Sequence, residues 1–140
     1  MNISEFRVGN LVKAGNTIGE VVTIDSNRYY FVVKNSSGSL NEYDRLTIEP
    51  IFIERTMLVN CFGFDKDGKL KISIDSRDFY FQENEGHIIL LESNLWPLIH
   101  FWDLKTLHQL QNFYYRFKGE HLAYNVKNLE DCKSINLHTR

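Results

Sequence analysis

Five histidines, two cysteines and a scatter of carboxylates are the side chains of this 140-residue chain that could hold a metal or move a proton. His87, His100, His108, His121 and His138 stand apart: none has a second histidine four residues away, and neither Cys61 nor Cys132 lies in a CxxC pair. A zinc site is legible in a sequence through such local pairs, because two ligands on one turn or helix face fix half of the tetrahedron. Asp65-Lys66-Asp67-Gly68 begins like a calcium loop but lacks the third oxygen ligand and the closing Glu, and an Asp-Gly turn accounts for it. Asp75 and Asp78 read as turn residues, without the apolar surroundings that would raise a carboxyl pKa for acid–base work. Cys61 lies among Met57, Leu58 and Phe62, the setting of a small buried hydrophobe. No GxxxxGK[ST] phosphate loop and no GxSxG elbow occurs. From these patterns we expect no catalytic residue, no metal and no cofactor.

Three groups of residues suit binding instead, and each has an ordinary structural explanation beside the functional one. Lys105, Gln109, Asn112 and Arg116 share one side of a helix at about 100° per residue. Lys and Arg neutralise anionic groups, while Gln and Asn bond backbone or base edges; a solvated helix face has the same composition. Arg28-Tyr29-Tyr30, with Arg7 and Lys13, forms a basic and aromatic set of the kind that stacks on and neutralises a nucleic-acid strand, although some of these rings must fill a core. Trp96 and Trp102 flank an apolar run, where either an interface or a core would use them.

The elements that position these residues follow from periodicity. Residues 6–50 show short alternating runs: Leu11-Val12, then Ile18 to Ile24, then Tyr29 to Val33, and a last strand from Tyr43 to Ile48 closed by Pro50. Gly15-Asn16, Asp25-Ser26-Asn27 and Asn35-Ser36-Ser37-Gly38-Ser39 punctuate them, which predicts a small SH3-like β-barrel. From Ile53 to Phe62 the period becomes helical, with Glu54 in the first turn and Gly63 placed as a cap. Four strands in an antiparallel meander are predicted between Phe64 and Trp102. A helix is predicted over 103–118, with Asp103 as N-cap and Gly119 as C-cap. Its apolar face, Leu107, Leu110, Phe113, Tyr114 and Phe117, should cover the meander. The expected class is α+β: residues 1–50 as the barrel, 51–124 as helix, meander and helix, and 125–140 as a polar tail, in one compact unit.

Aromatic residues make up 14% of the chain, and the net charge is -2. That balance gives no overall field for condensing on duplex DNA. The charge is uneven, however. Residues 51–103 hold five basic and nine acidic side chains, and residues 104–140 hold six basic and three acidic. The two cysteines allow one disulfide at most, the first residues lack the basic and apolar pattern of a signal peptide, and no apolar run approaches the length of a membrane span. A cytoplasmic protein without membrane contact is the expectation.

Two stretches carry a resemblance. Phe6-Arg7-Val8-Gly9-Asn10-Leu11-Val12, followed by Tyr43-Asp44-Arg45-Leu46-Thr47-Ile48-Glu49-Pro50-Ile51, resembles the start of a group of small proteins encoded by phages, prophages and other mobile elements of Bacteroidetes. Leu107-His108-Gln109-Leu110-Gln111-Asn112-Phe113-Tyr114, with Gly119-Glu120 after it, resembles that group's C-terminal signature more closely, and Met57 to Phe64 is similar to its helix ending in Gly-Phe. This chain reads Phe52-Ile53-Glu54 where the group has Pro-Leu-Thr. The group brings no established reaction, so the resemblance implies a habitat. From that habitat we expect a non-catalytic accessory protein that binds and inhibits a host protein or protein–RNA complex, such as an RNA-guided defence effector (an anti-CRISPR-like role). An RNA- or DNA-binding module using the barrel and the basic C-terminal helix is the second expectation, and a virion or scaffold component the third.

Overall fold

The computed structural model describes residues 6–25, 27–92, 97–101 and 104–125, the segment 97–101 by its backbone. Five short strands make the first sheet: β1 (Leu11–Ala14), β2 (Thr17–Asp25), β3 (Tyr30–Asn35), β4 (Leu40–Asp44) and β5 (Ile48–Glu49), in the order β4-β3-β2-β1-β5. Helix α1 (Arg55–Cys61) leads to a second sheet of β6 (Lys69–Ile74), β7 (Arg77–Asn84), β8 (His87–Glu92) and β9 (Pro97–Phe101), paired in sequence order, and α2 (Leu107–Lys118) follows. Every strand pair is antiparallel. The class is α+β, with the first sheet curled into a half-barrel. No helix among the described residues is long and apolar enough to cross a membrane.

The curl has local causes. Val12, Ala14, Val21, Phe31, Val33 and Ile48 alternate onto the concave side and form a small core with Phe6. The register of β2 against β3 slips between Val21 and Thr23, and a bulge of this kind bends the strand and adds twist. Gly19 lets the two strands approach there: a Cβ at this position would stand 2.5 Å from Val33 Cγ1 and 2.7 Å from the Lys34 carbonyl oxygen.

The larger core lies between the two sheets. Leu11 and Ile18 point away from the concave side and join Met57, Leu58, Phe62, Phe79, Phe81, Leu107 and Leu110. Residues 51–53 and 105–107 run antiparallel between the halves, with Ile53 N donating to Lys105 O at 2.9 Å and Leu107 N to Ile51 O at 2.7 Å. One core therefore crosses the boundary placed at residue 50. Cys61 is buried in it.

Several boundaries differ from those expected. The stretch Tyr43 to Ile48 is not one strand but the end of β4, a turn and β5. Asp44 Oδ1 accepts from Leu46 N at 2.8 Å and Thr47 N at 3.1 Å, and that side-chain bonding breaks the ladder. The first helix starts at Arg55 because Ile53 is engaged in the antiparallel bridge, which leaves Glu54 as an extended N-cap outside the first turn. Asp78 lies within β7, since Asp75 and Ser76, at φ 52 and 65, complete the two-residue turn alone. The loop at Asp65 to Gly68 leads in from α1 instead of joining two strands. The N-cap of α2 lies three residues beyond the predicted Asp103, at Thr106, in a capping box. Gln109 Oε1 accepts from Thr106 N at 3.1 Å, and the Thr106 side chain caps the opposite way. Gly119 closes it in the left-handed region at φ 80, as expected. Trp96, Trp102, Asp103, Cys132, His138 and the tail from 126 lie outside the described residues.

Candidate binding face

Helix α2 is buried on two sides. Leu107 and Leu110 face the meander core, where Phe113, Tyr114 and Phe117 also pack. His108, fully buried, and Gln111, 6% exposed, face the curled sheet instead. His108 Nδ1 lies 3.2 Å from Thr106 Oγ1, and its ring centre is 4.5 Å from that of Phe6. Gln111 clamps the start of β1, accepting from Leu11 N at 2.8 Å and donating to Gly9 O at 3.3 Å. Asn112 Oδ1 accepts from Arg7 Nε at 2.7 Å and from Asn10 Nδ2 at 2.8 Å, and the Arg7 guanidinium also lies over Tyr115, 4.7 Å from the ring centre. Buried polar groups require such partners, so the joint between the halves is specified by hydrogen bonding as well as by shape.

This arrangement separates the four residues predicted to share a polar face. Gln109 belongs to the helix cap and Asn112 to the joint, whereas Lys105 and Arg116 are exposed near opposite ends of α2. Helical periodicity brought them to one azimuth, but it cannot reveal that a second layer covers the middle of that azimuth.

The aromatic and basic set of the first sheet is divided differently. Arg7 goes to the joint, and Lys13 stands on β1 opposite Glu49. Tyr30 opens β3, half-buried. Arg28 and Tyr29 occupy the β2–β3 turn, where Asp25 Oδ1 accepts from Arg28 N at 3.1 Å. There they meet the β4–β5 turn, which sequence reasoning did not single out. Arg45 N donates to Tyr29 O at 3.1 Å, and the Arg45 guanidinium lies 4.8 Å from the Tyr29 ring centre. Leu46 beside it is 86% exposed and Tyr29 52%. Tyr29 also adopts φ 59, a region that a bulky side chain rarely takes. Strain of this sort persists where the surroundings enforce it, and it is concentrated at sites of function. One end of the curled sheet thus presents two guanidinium groups, a ring and a leucine to water. The signal in the sequence was Arg45-Leu46 directly after Asp44, a turn-former whose two followers face outward.

Glu83, Asp78 and Tyr124 are engaged in the fold. Glu83, 6% exposed, receives Arg55 Nε at 2.7 Å and Gly86 N at 2.9 Å. Asp78 accepts from Ser73 Oγ at 2.7 Å and faces Lys71; that hydrogen bond, then the lysine charge, holds its carboxyl below the usual carboxylate value. The Tyr124 hydroxyl donates to Glu20, and burial together with that carboxylate pushes the phenol above its ordinary value of 10.0. This contact separates a cleft of about 350 Å³, lined by Arg7, Asn10 and His121 among others, from one of about 280 Å³ lined by Lys34, Asn35 and Ser37. Among the described residues no three His, Cys, Asp or Glu side chains gather as a metal site.

Comparison with protein families, with curated proteins and with solved structures finds no match to this chain.

Proposed function

We propose that this chain is a non-catalytic accessory protein of a phage or other mobile element, which inhibits a host machine by occupying one of its surfaces. The curled sheet serves as an SH3-like platform, and its Arg28, Tyr29, Arg45 and Leu46 end is the docking face. The observation that carries this reading is the exposure of Tyr29 and Leu46 side by side with two guanidinium groups, in a chain whose other described rings are mostly packed. Tyr, Arg and a flanking apolar side chain are the residue types that anchor protein interfaces, because they bury large areas and keep a polar handle. An RNA-guided effector offers both kinds of partner: its protein surfaces would take the leucine and tyrosine, and the phosphates of its bound guide RNA would take the arginines. The absence of catalysis belongs to this proposal and rests on the structural engagement of Glu83, Asp78 and Asp44.

The test is affinity capture from a defence-bearing host using the full chain and a Tyr29→Ala/Leu46→Arg variant. The proposal expects one stoichiometric partner that the wild-type chain retains and the variant loses. A partner retained equally by both would remove this face from the mechanism. Salt-sensitive binding to free RNA without any protein partner would replace the proposal with a nucleic-acid module.

A further inference from the structure

Strand β4 ends its sheet: β3 pairs with one side, and among the described residues no strand pairs with the other. An edge of this kind presents backbone donors and acceptors that only water satisfies, and it is a template for one more strand. Alternation along β4 places Leu40, Glu42 and Asp44 on one face, while Tyr43 on the other packs against the small core. All three face-sharing residues are exposed, Leu40 by 60%. Asp44 uses one oxygen to accept from Leu46 and Thr47, and its negative charge remains at the rim. The strand also runs directly into Arg45 and Leu46, so its free edge is continuous with the docking face described above.

Building on that reading, we propose that β4 accepts an extended segment of a partner protein as a sixth strand, and that this segment is basic. Side chains opposite one another in an antiparallel pair are close neighbours, and opposite charges there attract whereas like charges repel. A segment of the pattern basic-x-basic-x-apolar, laid antiparallel, sets its first basic residue against Asp44, its second against Glu42 and its apolar residue against Leu40. The same geometry disfavours a second copy of this chain. Antiparallel self-pairing centred on β4 brings Glu42 against Glu42 and sets each Leu40 against Asp44.

Fluorescence anisotropy with the full chain tests this, using a labelled peptide TKVRVLT and its acidic counterpart TEVEVLT at low salt. We expect saturable binding of the basic peptide, at least tenfold tighter than the acidic one and weakened by added salt. A Glu42→Lys/Asp44→Asn variant should reverse the order of the two peptides; Asn at 44 keeps the side-chain oxygen that caps the turn. Amide exchange should slow in residues 40–44 when the basic peptide is bound. Equal binding of both peptides, absence of binding up to millimolar concentration, an unchanged order in the variant, or protection elsewhere would each overturn the proposal. If the peptides fail while a captured partner still depends on Tyr29 and Leu46, strand addition falls and the docking face stands.

Discussion

On the meander side, Phe81 is fully buried beneath three rings of α2, with centre-to-centre distances of 5.8 Å to Phe113, 6.0 Å to Tyr114 and 6.1 Å to Phe117. On the curled side, the small core holds Phe6 and Phe31 at 5.8 Å with β-branched and small residues around them, while Tyr29, Leu40 and Leu46 remain in water. Among the described residues the shared core counts eighteen buried hydrophobic side chains, and the small core counts seven. Burial stabilises roughly in proportion to the apolar area removed from water. The comparison teaches that the core shared by α1, the meander, α2 and the outer face of β1–β2 holds most of the buried apolar surface, which leaves the far end of the curled sheet free to keep apolar and aromatic groups exposed. The polar joint of Arg7, Asn10, Gln111 and Asn112 transmits that stability to the first sheet.

The largest effect should come from the ring cluster. Phe81→Ala is expected to cost about 3–5 kcal/mol, the range for emptying a buried phenylalanine site, measured by urea unfolding. A cost under ~1 kcal/mol would mean that the meander is not the stable half. Next is the joint: Asn112→Ala leaves Arg7 Nε and the 1%-exposed Asn10 without their shared acceptor. Loss of about 1–3 kcal/mol is expected, with the curled sheet exchanging its amides faster than the meander. Uniform acceleration across both sheets would show that the joint does not couple them.

The alkaline limb of the stability curve probes the contact between the C-terminal segment and β2. Folding raises the Tyr124 pKa, so the folded state keeps this proton where the unfolded chain, with its ordinary value near 10.0, begins to release it. Its contribution is fully present below about pH 10 and is lost as the pH climbs through the folded value. Tyr124→Phe should therefore flatten the fall in stability above pH 10. An unchanged slope would remove the Glu20 contact from the account. The smallest change in stability belongs to Leu46→Ser, within about 0.5 kcal/mol by thermal or urea unfolding, because the side chain is 86% exposed. A cost above ~1.5 kcal/mol would make Leu46 a structural residue and weaken the contrast between the halves.

Much of this architecture was legible in the chain. Leu70, Ile72 and Ile74 alternate inward on β6 as their spacing requires, and Leu107, Leu110 and Gly119 mark the covered face and the end of α2. What stayed hidden depends on partners distant in sequence. Asn112 reads as a polar surface residue until Arg7 and Asn10, about a hundred positions earlier, arrive beside it. Glu83 alternates onto the inner face of β7, where a carboxylate is tolerated only because Arg55 reaches it from α1. The candidate face was half visible: Arg28 and Tyr29 stood out by type, whereas Arg45 and Leu46 join them only because two turns meet at one end of the sheet.

The most direct test of the central claim is amide hydrogen exchange on the full chain, alone and in complex with whichever partner it captures. The account predicts new protection at the β2–β3 and β4–β5 turns, around Tyr29 and Leu46, with the meander and α2 unchanged. Protection confined to the meander or to α2, with both turns exchanging as freely as in the unbound chain, would contradict it.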